Sequence, residues 1–377
     1  MMDSFIQAAT ERSQAESVNR VDSRKFRHHT DEELESLLSS HNATIKVIGC
    51  GGAGNNTLNR IVEVGVTGIE TIGINTDAQD LLYTTADIKI LIGKERTKGQ
   101  GAGSKPEVGR ESAQEQSKEI KEALRGADLV FITAGMGGGT GTGSAPVVAE
   151  IAKSMGALTV GVVTIPFKME GAARYANAQY GLSQLSEHVD TLIVIPNEKL
   201  IELAPNVPLK VAFRLADEIL TNAVKGIAEL VTKPGLVNLD FADIKTVMGD
   251  GGVALIGVGE SNSDNRAPEA VNKALNNPLI DVDISGATGA LINVAGSNEL
   301  TLDEAQAVVH AVSSQLDEDA RVIWGTQLDD DLGKTLRVML IVTGVQSTQI
   351  TSAKVERQKE SDSKKSMKEE LGIEFVN

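Results

Sequence analysis

From Thr44 onward, short and nearly continuous apolar runs alternate with helical patterns, and this alternation leaves very few folds open. Ile45–Ile48, Ile69–Ile74, Ile88–Ile92, Leu129–Thr133, Leu158–Thr164 and Leu192–Ile195 read as strands buried on both faces. Between them, Leu58, Ile61 and Val62 share one helical face, as do Ala113, Ile120 and Leu124. Strands without polar alternation need helices over both sheet faces. The pattern therefore predicts an α/β fold with a doubly wound parallel sheet over residues 44–207.

The remaining segments fall around that unit. Leu209, Ala212, Phe213, Ala216, Leu220, Val224 and Ile227 keep helical spacing, which predicts one central helix within 208–233, stopped by Pro234-Gly235. At 1.5 Å per residue this is a rod of roughly 35 Å. Its wide apolar face places it between two packed units. Residues 234–345 carry strands at Val253–Val258, Ala290–Val294, Val322–Trp324 and Leu336–Val342 with two interleaved helices, a smaller α+β domain. Residues 1–43 read as a flexible arm with a short helix after the capping-box spacing Thr30 to Glu33. Residues 346–377 read as a flexible tail ending in the apolar peptide Leu371–Val376.

Composition removes whole classes of function. Lys and Arg number 36 against 52 Asp and Glu, so the net charge of −16 offers no basic excess for nucleic acid. Eleven aromatic residues are too few for base-stacking platforms. The single cysteine, Cys50, has no disulfide partner in the chain, and five scattered histidines show no metal-ligand spacing, so no metal-ligating residues are assigned. No apolar run reaches the ~20 residues of a membrane span, and no signal-peptide core opens the chain. A cytoplasmic protein without direct membrane insertion is expected.

Two glycine runs carry the chemistry. Gly49-Cys50-Gly51-Gly52-Ala53-Gly54 follows a strand, opens a helix and fits G-x-G-x-x-G. Backbone N–H groups at such a helix start hold a phosphate of any origin, so this loop alone leaves a nicotinamide or flavin site, another nucleotide, or tight helix–strand packing open. For a dinucleotide, the acid expected about 20 residues on would be Asp77. Gly137-Gly138-Gly139-Thr140-Gly141-Thr142-Gly143 is more demanding. Five glycines in seven residues cost several kcal/mol of folding entropy relative to alanines, on the order of 0.5–1 each, which a plain turn does not require. The loop lets backbone approach a polyphosphate, with the Thr140 and Thr142 hydroxyls as added donors. Gly333-Lys334-Thr335 imitates the end of a Walker loop, but Leu328 stands where its first glycine belongs and a strand follows.

The second run is the signature of the tubulin/FtsZ superfamily, and the chain from about Ile45 to Gly344 resembles its FtsZ cell-division GTPases, the long N-terminal arm looking archaeal. The matching stretches are 49–56, Asn75-Thr76-Asp77-Ala78-Gln79, Gly101-Ala102-Gly103, 137–143, Pro166-Phe167 with Glu170 and Arg174, Pro196-Asn197-Glu198 and Asn238–Asp243. The resemblance implies GTP/GDP as ligand, with Mg²⁺ held mainly through the phosphates. It implies that Gly51, Gly52, Ala53, Gly54, Asn55, Asn56, Gly138, Gly139, Thr140, Gly141 and Thr142 cradle phosphates, joined by Asn75, while Ala102 and Gly103 cover the γ-phosphate. Glu170 and Arg174 are implied at the ribose, Asn197 and Asp217 at the base. A carboxylate can accept from N1–H and the exocyclic amine of guanine together; adenine has no N1–H to offer. Cys50 stands at a variable position without a chemical role.

Asp240 and Asp243 are implied as the catalytic pair, acting on the nucleotide of the next subunit by orienting the attacking water. Read without the resemblance, they are equally a helix N-cap. The implied protein polymerises head-to-tail at a mid-cell division ring and meets a membrane-tethering partner, SepF-like in archaea, through its C-terminal peptide. That peptide lacks the proline and arginine of its bacterial counterpart. Two other classes compete: a non-hydrolysing nucleotide-binding scaffold, and a nicotinamide-dependent oxidoreductase, which explains only the first glycine loop.

Overall fold

A computed structural model describes residues 43–203, 207–232, 240–280 and 284–345. The expected arm helix near Thr30, the tail peptide and Asn238-Leu239 lie outside the described residues. In chain order the elements are β1 Ile45–Cys50, α1 Gly51–Val64, β2 Ile69–Asn75, α2 Ala78–Tyr83, β3 Ile88–Leu91, α3 Lys94–Thr97, α4 Pro106–Glu115, α5 Ser117–Ala123 and β4 Leu129–Gly135. There follow α6 Thr140–Ser154, β5 Leu158–Ile165, α7 Ala172–His188, β6 Thr191–Pro196, α8 Asn197–Leu203 and α9 Leu209–Thr232. The last group is α10 Phe241–Met248, β7 Gly252–Ser261, α11 Arg266–Leu275, β8 Gly289–Gly296, α12 Leu302–Ser313, β9 Arg321–Leu328 and β10 Leu336–Thr343.

The ten strands form one sheet in the order β3-β2-β1-β4-β5-β6-β7-β10-β8-β9. The six strands from β3 to β6 are mutually parallel, as the continuous apolar runs require. β7 joins β6 in parallel over three residues, and β10 runs antiparallel to both β7 and β8. The second half therefore continues the first sheet. β1 sits between β2 and β4 with Gly49 opposite Thr133 and Cys50 opposite Ala134, so β1 and β4 end at the same level. The strand order reverses about β1, and the crevice at such a reversal, beyond the strands' C-terminal ends, is where open α/β sheets bind ligands.

Three apolar clusters cover the sheet. On one face Leu58 and Ile61 of α1 and Leu220, Ala223, Val224 and Ile227 of α9 pack over Phe131 and Val160, and the same cluster reaches Ile256, Leu291 and Ile341 in the second half. One helix thus seals both halves, each buried Leu or Ile contributing roughly 1.5–3 kcal/mol. The opposite face of the first half is covered by Ala113, Ile120, Val148 and Leu182, and that of the second half by Val271, Ala274 and Val308. Phe213 departs from the periodic expectation. It is 41% exposed instead of joining this core, and it stands edge-on to Phe167 at 5.3 Å between ring centroids.

α10 is fixed at the N-terminal end of the parallel strands. The Thr191 hydroxyl, at the first residue of β6, donates to the Met248 carbonyl at 2.5 Å. Ile244 and Met248 are fully buried in the shared core, while Asp240 and Asp243 are exposed.

Candidate nucleotide-binding site

At the C-terminal ends of β1 and β4 two helices begin side by side, α1 from the first glycine loop and α6 from the second. Neither N-terminus has a side-chain cap hydrogen bond or an acidic residue in its first turn. Their early N–H groups and positive dipole ends are left for an anion. Gly51 adopts φ +71°, and a Cβ there would stand 2.8 Å from the Gly141 nitrogen. The two loops touch through a position that only glycine can occupy. Gly137 (φ +106°) is similarly confined, with the Arg174 carbonyl 2.8 Å from where its Cβ would be.

A cavity of about 520 Å³ opens over these loops. Gly51, Gly52, Ala53 and Asn56 line it from one side, and Gly138, Gly139, Thr140 and Gly141 from the other. Glu170, Arg174, Asn197 and Asp217 complete the wall away from the glycines. Glu170 and Arg174 are not neighbours on one helix. Glu170 ends a short 3₁₀ turn, the chain reverses at Gly171, and Arg174 lies in α7, the two side chains paired across the break.

Asn197 is 5% exposed, and its Oδ1 has no hydrogen-bond partner among the described residues. A buried acceptor left unpaired costs about 1–3 kcal/mol, so a ligand donor is the natural complement. Asp217 lies on α9 one residue beyond Ala216 and four beyond Phe213, all three facing the cavity. Burial pushes the Asp217 carboxyl up to about 6; the Thr57 hydroxyl holds it down in part, and neighbouring Glu218 adds to the rise. Two donors from a ligand would relieve a carboxylate so placed. Guanine presents both, and the uncapped helix starts at the glycine loops suit the phosphates of a guanine nucleotide.

Several expected ligands do not line the cavity. Gly54 packs against β4, where a Cβ would meet the Thr133 carbonyl at 2.4 Å. Asn55 and Asn75 turn behind the loop, their amide nitrogens donating to Asp80 at 3.5 and 2.6 Å. Thr142 is fully buried, and its hydroxyl accepts the Gly137 N–H at 2.9 Å; it braces the glycine loop instead of donating into the cavity. Ala102 is buried against Gly139, and Gly103 lies outside the lining while Ser104 is part of it. Asp77 accepts from the Gln79 and Asp80 N–H groups at 2.9 and 3.1 Å as the N-cap of α2, so it is not the ribose acid of a dinucleotide site. Cys50 belongs to the cavity floor, but its thiol is fully buried in the core and burial pushes it up to about 12, leaving it protonated and inert. Sequence reading missed Ser104, Met136, Thr164 and Phe213 in the lining. Only Phe213 carried a signal, its spacing of three and four from Ala216 and Asp217.

Comparison with known proteins decides the family. Residues 44–205 match the tubulin/FtsZ family GTPase domain, and residues 252–346 match the FtsZ family C-terminal domain. The cell division protein FtsZ 1 of Thermococcus kodakarensis is 59% identical over 91% of this chain and 92% of its own length. FtsZ 1 of Methanocaldococcus jannaschii is 61% identical over 84% of this chain and 87% of its own. The chain belongs to the FtsZ family. It is a GTP-binding cell-division protein of the cytoskeleton and a GTPase. A solved structure described as an empty FtsZ dimer from M. jannaschii superposes with a TM-score of 0.81 at 60% identity, covering 85% of this chain and 93% of that one. Among the described residues no helix is long and apolar enough to cross a membrane.

The raised Asp217 carboxyl gives a pH signature. Its folded value of about 6 stands above the ordinary 3.8, so the empty protein gains stability from protonated Asp217 below about 4 and loses it as pH rises through 6. With Asp217 as the acceptor of guanine's donors, binding would select the anion, so GDP affinity should fall by up to about tenfold per pH unit below 6. Asp217→Asn should bind GDP ten- to about a hundredfold more weakly at pH 7 and lose this dependence. Fluorescent-GDP titrations from pH 5 to 7 compare the two proteins, whose ligand phosphates titrate alike. Equal slopes, or ATP competing with GTP within about threefold in the wild type, would remove Asp217 from base recognition.

Proposed function

We propose that this GTPase polymerises head-to-tail and that Asp240 and Asp243 of one subunit complete the cavity of the next, orienting the water that attacks the γ-phosphate. The observation that carries this reading is the placement of the two ends of β6. Asn197 follows its C-terminal end and lines the cavity, whereas Thr191 at its start binds the end of α10. Six residues of strand at about 3.3 Å each separate Asn197 from the anchor of α10 by roughly 20 Å, and the acids stand at the other end of that eight-residue helix; this placement supports assigning them to another molecule's nucleotide. A contact between opposite ends of identical subunits is heterologous and propagates a filament.

The state of Asp240 supports the same reading. It occupies the N-cap position of α10 (φ −77°, ψ 146°), yet its side chain makes no cap hydrogen bond. The carboxylate is exposed, as is that of Asp243 in the first turn, and neither makes a hydrogen bond or ion pair among the described residues. The cap alternative is thus met by the backbone alone. Magnesium would be held by the phosphate oxygens, since no group of three His, Cys, Asp or Glu converges among the described residues. It would neutralise charge on the transferred group when bound. The glycine loops hold the phosphates in line, and Asn197 and Asp217 fix the base. Residues 44–207 would form the nucleotide unit, 208–233 the connecting helix and 234–345 the unit presenting the acids.

Asp240→Ala and Asp243→Ala should each keep GTP affinity while lowering turnover by about a hundredfold, with filaments that persist longer. Parallel binding titrations, phosphate release and sedimentation test this. Turnover retained within about threefold, or lost only together with binding, would overturn the shared site.

The tail extends the proposal to location. Residues 346–370 carry matched charges and little apolar surface, so as a coil they would span roughly 25–30 Å. Leu371, Ile373, Phe375 and Val376 suit a groove on a membrane-tethering protein, SepF-like in kind, at the mid-cell division site in the cytoplasm. Removing residues 371–377 should leave GTP turnover within about twofold and abolish capture of the purified tether. Capture by the truncated chain would free the peptide of that role.

A further inference from the structure

Asn177, a half-buried residue of α7, joins two loops that are far apart in sequence. Its side-chain amide nitrogen donates to the Ser104 carbonyl at 3.1 Å and to the Gly137 carbonyl at 3.3 Å. Both N–H groups of the carboxamide are thereby used. Gly137 opens the glycine signature loop, and Ser104 belongs to the Gly101–Lys105 loop and lines the cavity.

The loop that Asn177 grips needs holding. Gly101, Gly103 and Ser104 all have positive φ, at 82°, 58° and 58°. For serine that conformation is disfavoured and persists only where its surroundings impose it. Gly103 has open space where a Cβ would be. The loop's entry is tied by the Gly101 N–H to the Thr76 carbonyl at 3.1 Å, and its middle rests on Gly139, where a Cβ would come 2.8 Å from both the Ala102 methyl and the Lys105 nitrogen. Its exit is gripped by Asn177, at the strained residue itself.

We propose that Asn177 is a positioning residue that latches the Gly101–Lys105 loop to the signature loop, and so makes the cavity retain a nucleoside triphosphate more firmly than a diphosphate. The inference rests on the reading of this cavity as the GTP site, with that loop over the terminal phosphate. A diphosphate does not reach the latched loop, so loosening it affects GTP selectively. Sequence reading passes over Asn177 because a polar residue on an outer helix has no periodic signature. It is distinct from Arg174 on the same helix, which lines the cavity directly.

Stopped-flow release of fluorescent GTP and GDP from dilute wild type, Asn177→Ala and Asn177→Leu tests the latch. Leucine keeps the side-chain volume without either donor. Both variants should release GTP about fivefold faster or more and GDP within about twofold of wild type. Backbone hydrogen exchange at residues 101–105 of the nucleotide-free protein should rise in both, a readout that needs no ligand. Leucine behaving as wild type would mean packing instead of a latch; GTP and GDP accelerated alike, or unchanged exchange, would also overturn the inference. A wild type that fails to bind GTP would instead overturn the reading of the cavity.

Discussion

The register of β1 against β4 is the constraint on which everything else depends. Because Cys50 and Ala134 lie opposite each other, both strands stop at one level and their glycine loops turn outward together. α1 and α6 then start within backbone contact, Gly51 against Gly141. A slip of one residue would set the two loops at different levels and break the approach of Gly51 to Gly141. The uncapped helix starts follow from the same register. Each leaves N–H groups that an anion between the loops can satisfy, and a polyphosphate fits that demand.

α9 links this local arrangement to the region that carries the proposed catalytic acids. Near its start Phe213, Ala216 and Asp217 face the cavity; farther along it seals the shared core of both sheet halves; beyond its end the chain reaches Asp240. The proposed base contact and the proposed catalytic acids are therefore held apart by a stiff, buried element. In the proposed base contact, guanine donors would offset the cost of burying Asp217. The two acids at the far end are exposed, and Asp240, at the N-cap position, makes no side-chain cap bond.

The parallel sheet was legible in the sequence because buried strands have no polar alternation to obscure, and the second glycine run was legible because so much backbone freedom has no other use. Edges were less so. β1 runs on through Gly49 and Cys50 because both pair with β2 and β4, although a glycine there reads as the end of a strand. Phe213 keeps the spacing of the core face yet stands at the cavity wall, where its ring meets Phe167. Asp77 and Thr142 look like ligands by composition, but their polar atoms are taken up by a helix cap and a loop brace. Asp80, which gathers Asn55 and Asn75 behind the phosphate loop, and Asn177, which bridges two loops, act through contacts between distant segments. Such contacts leave no trace in local pattern.

The central claim is that hydrolysis belongs to the contact between subunits. Phosphate release per subunit, measured across protein concentrations with pelleting in parallel, tests it most directly. The account predicts negligible specific activity for dilute monomer and a steep rise at the concentration where polymer first sediments. Specific activity that stays flat down to dilute monomer would contradict it.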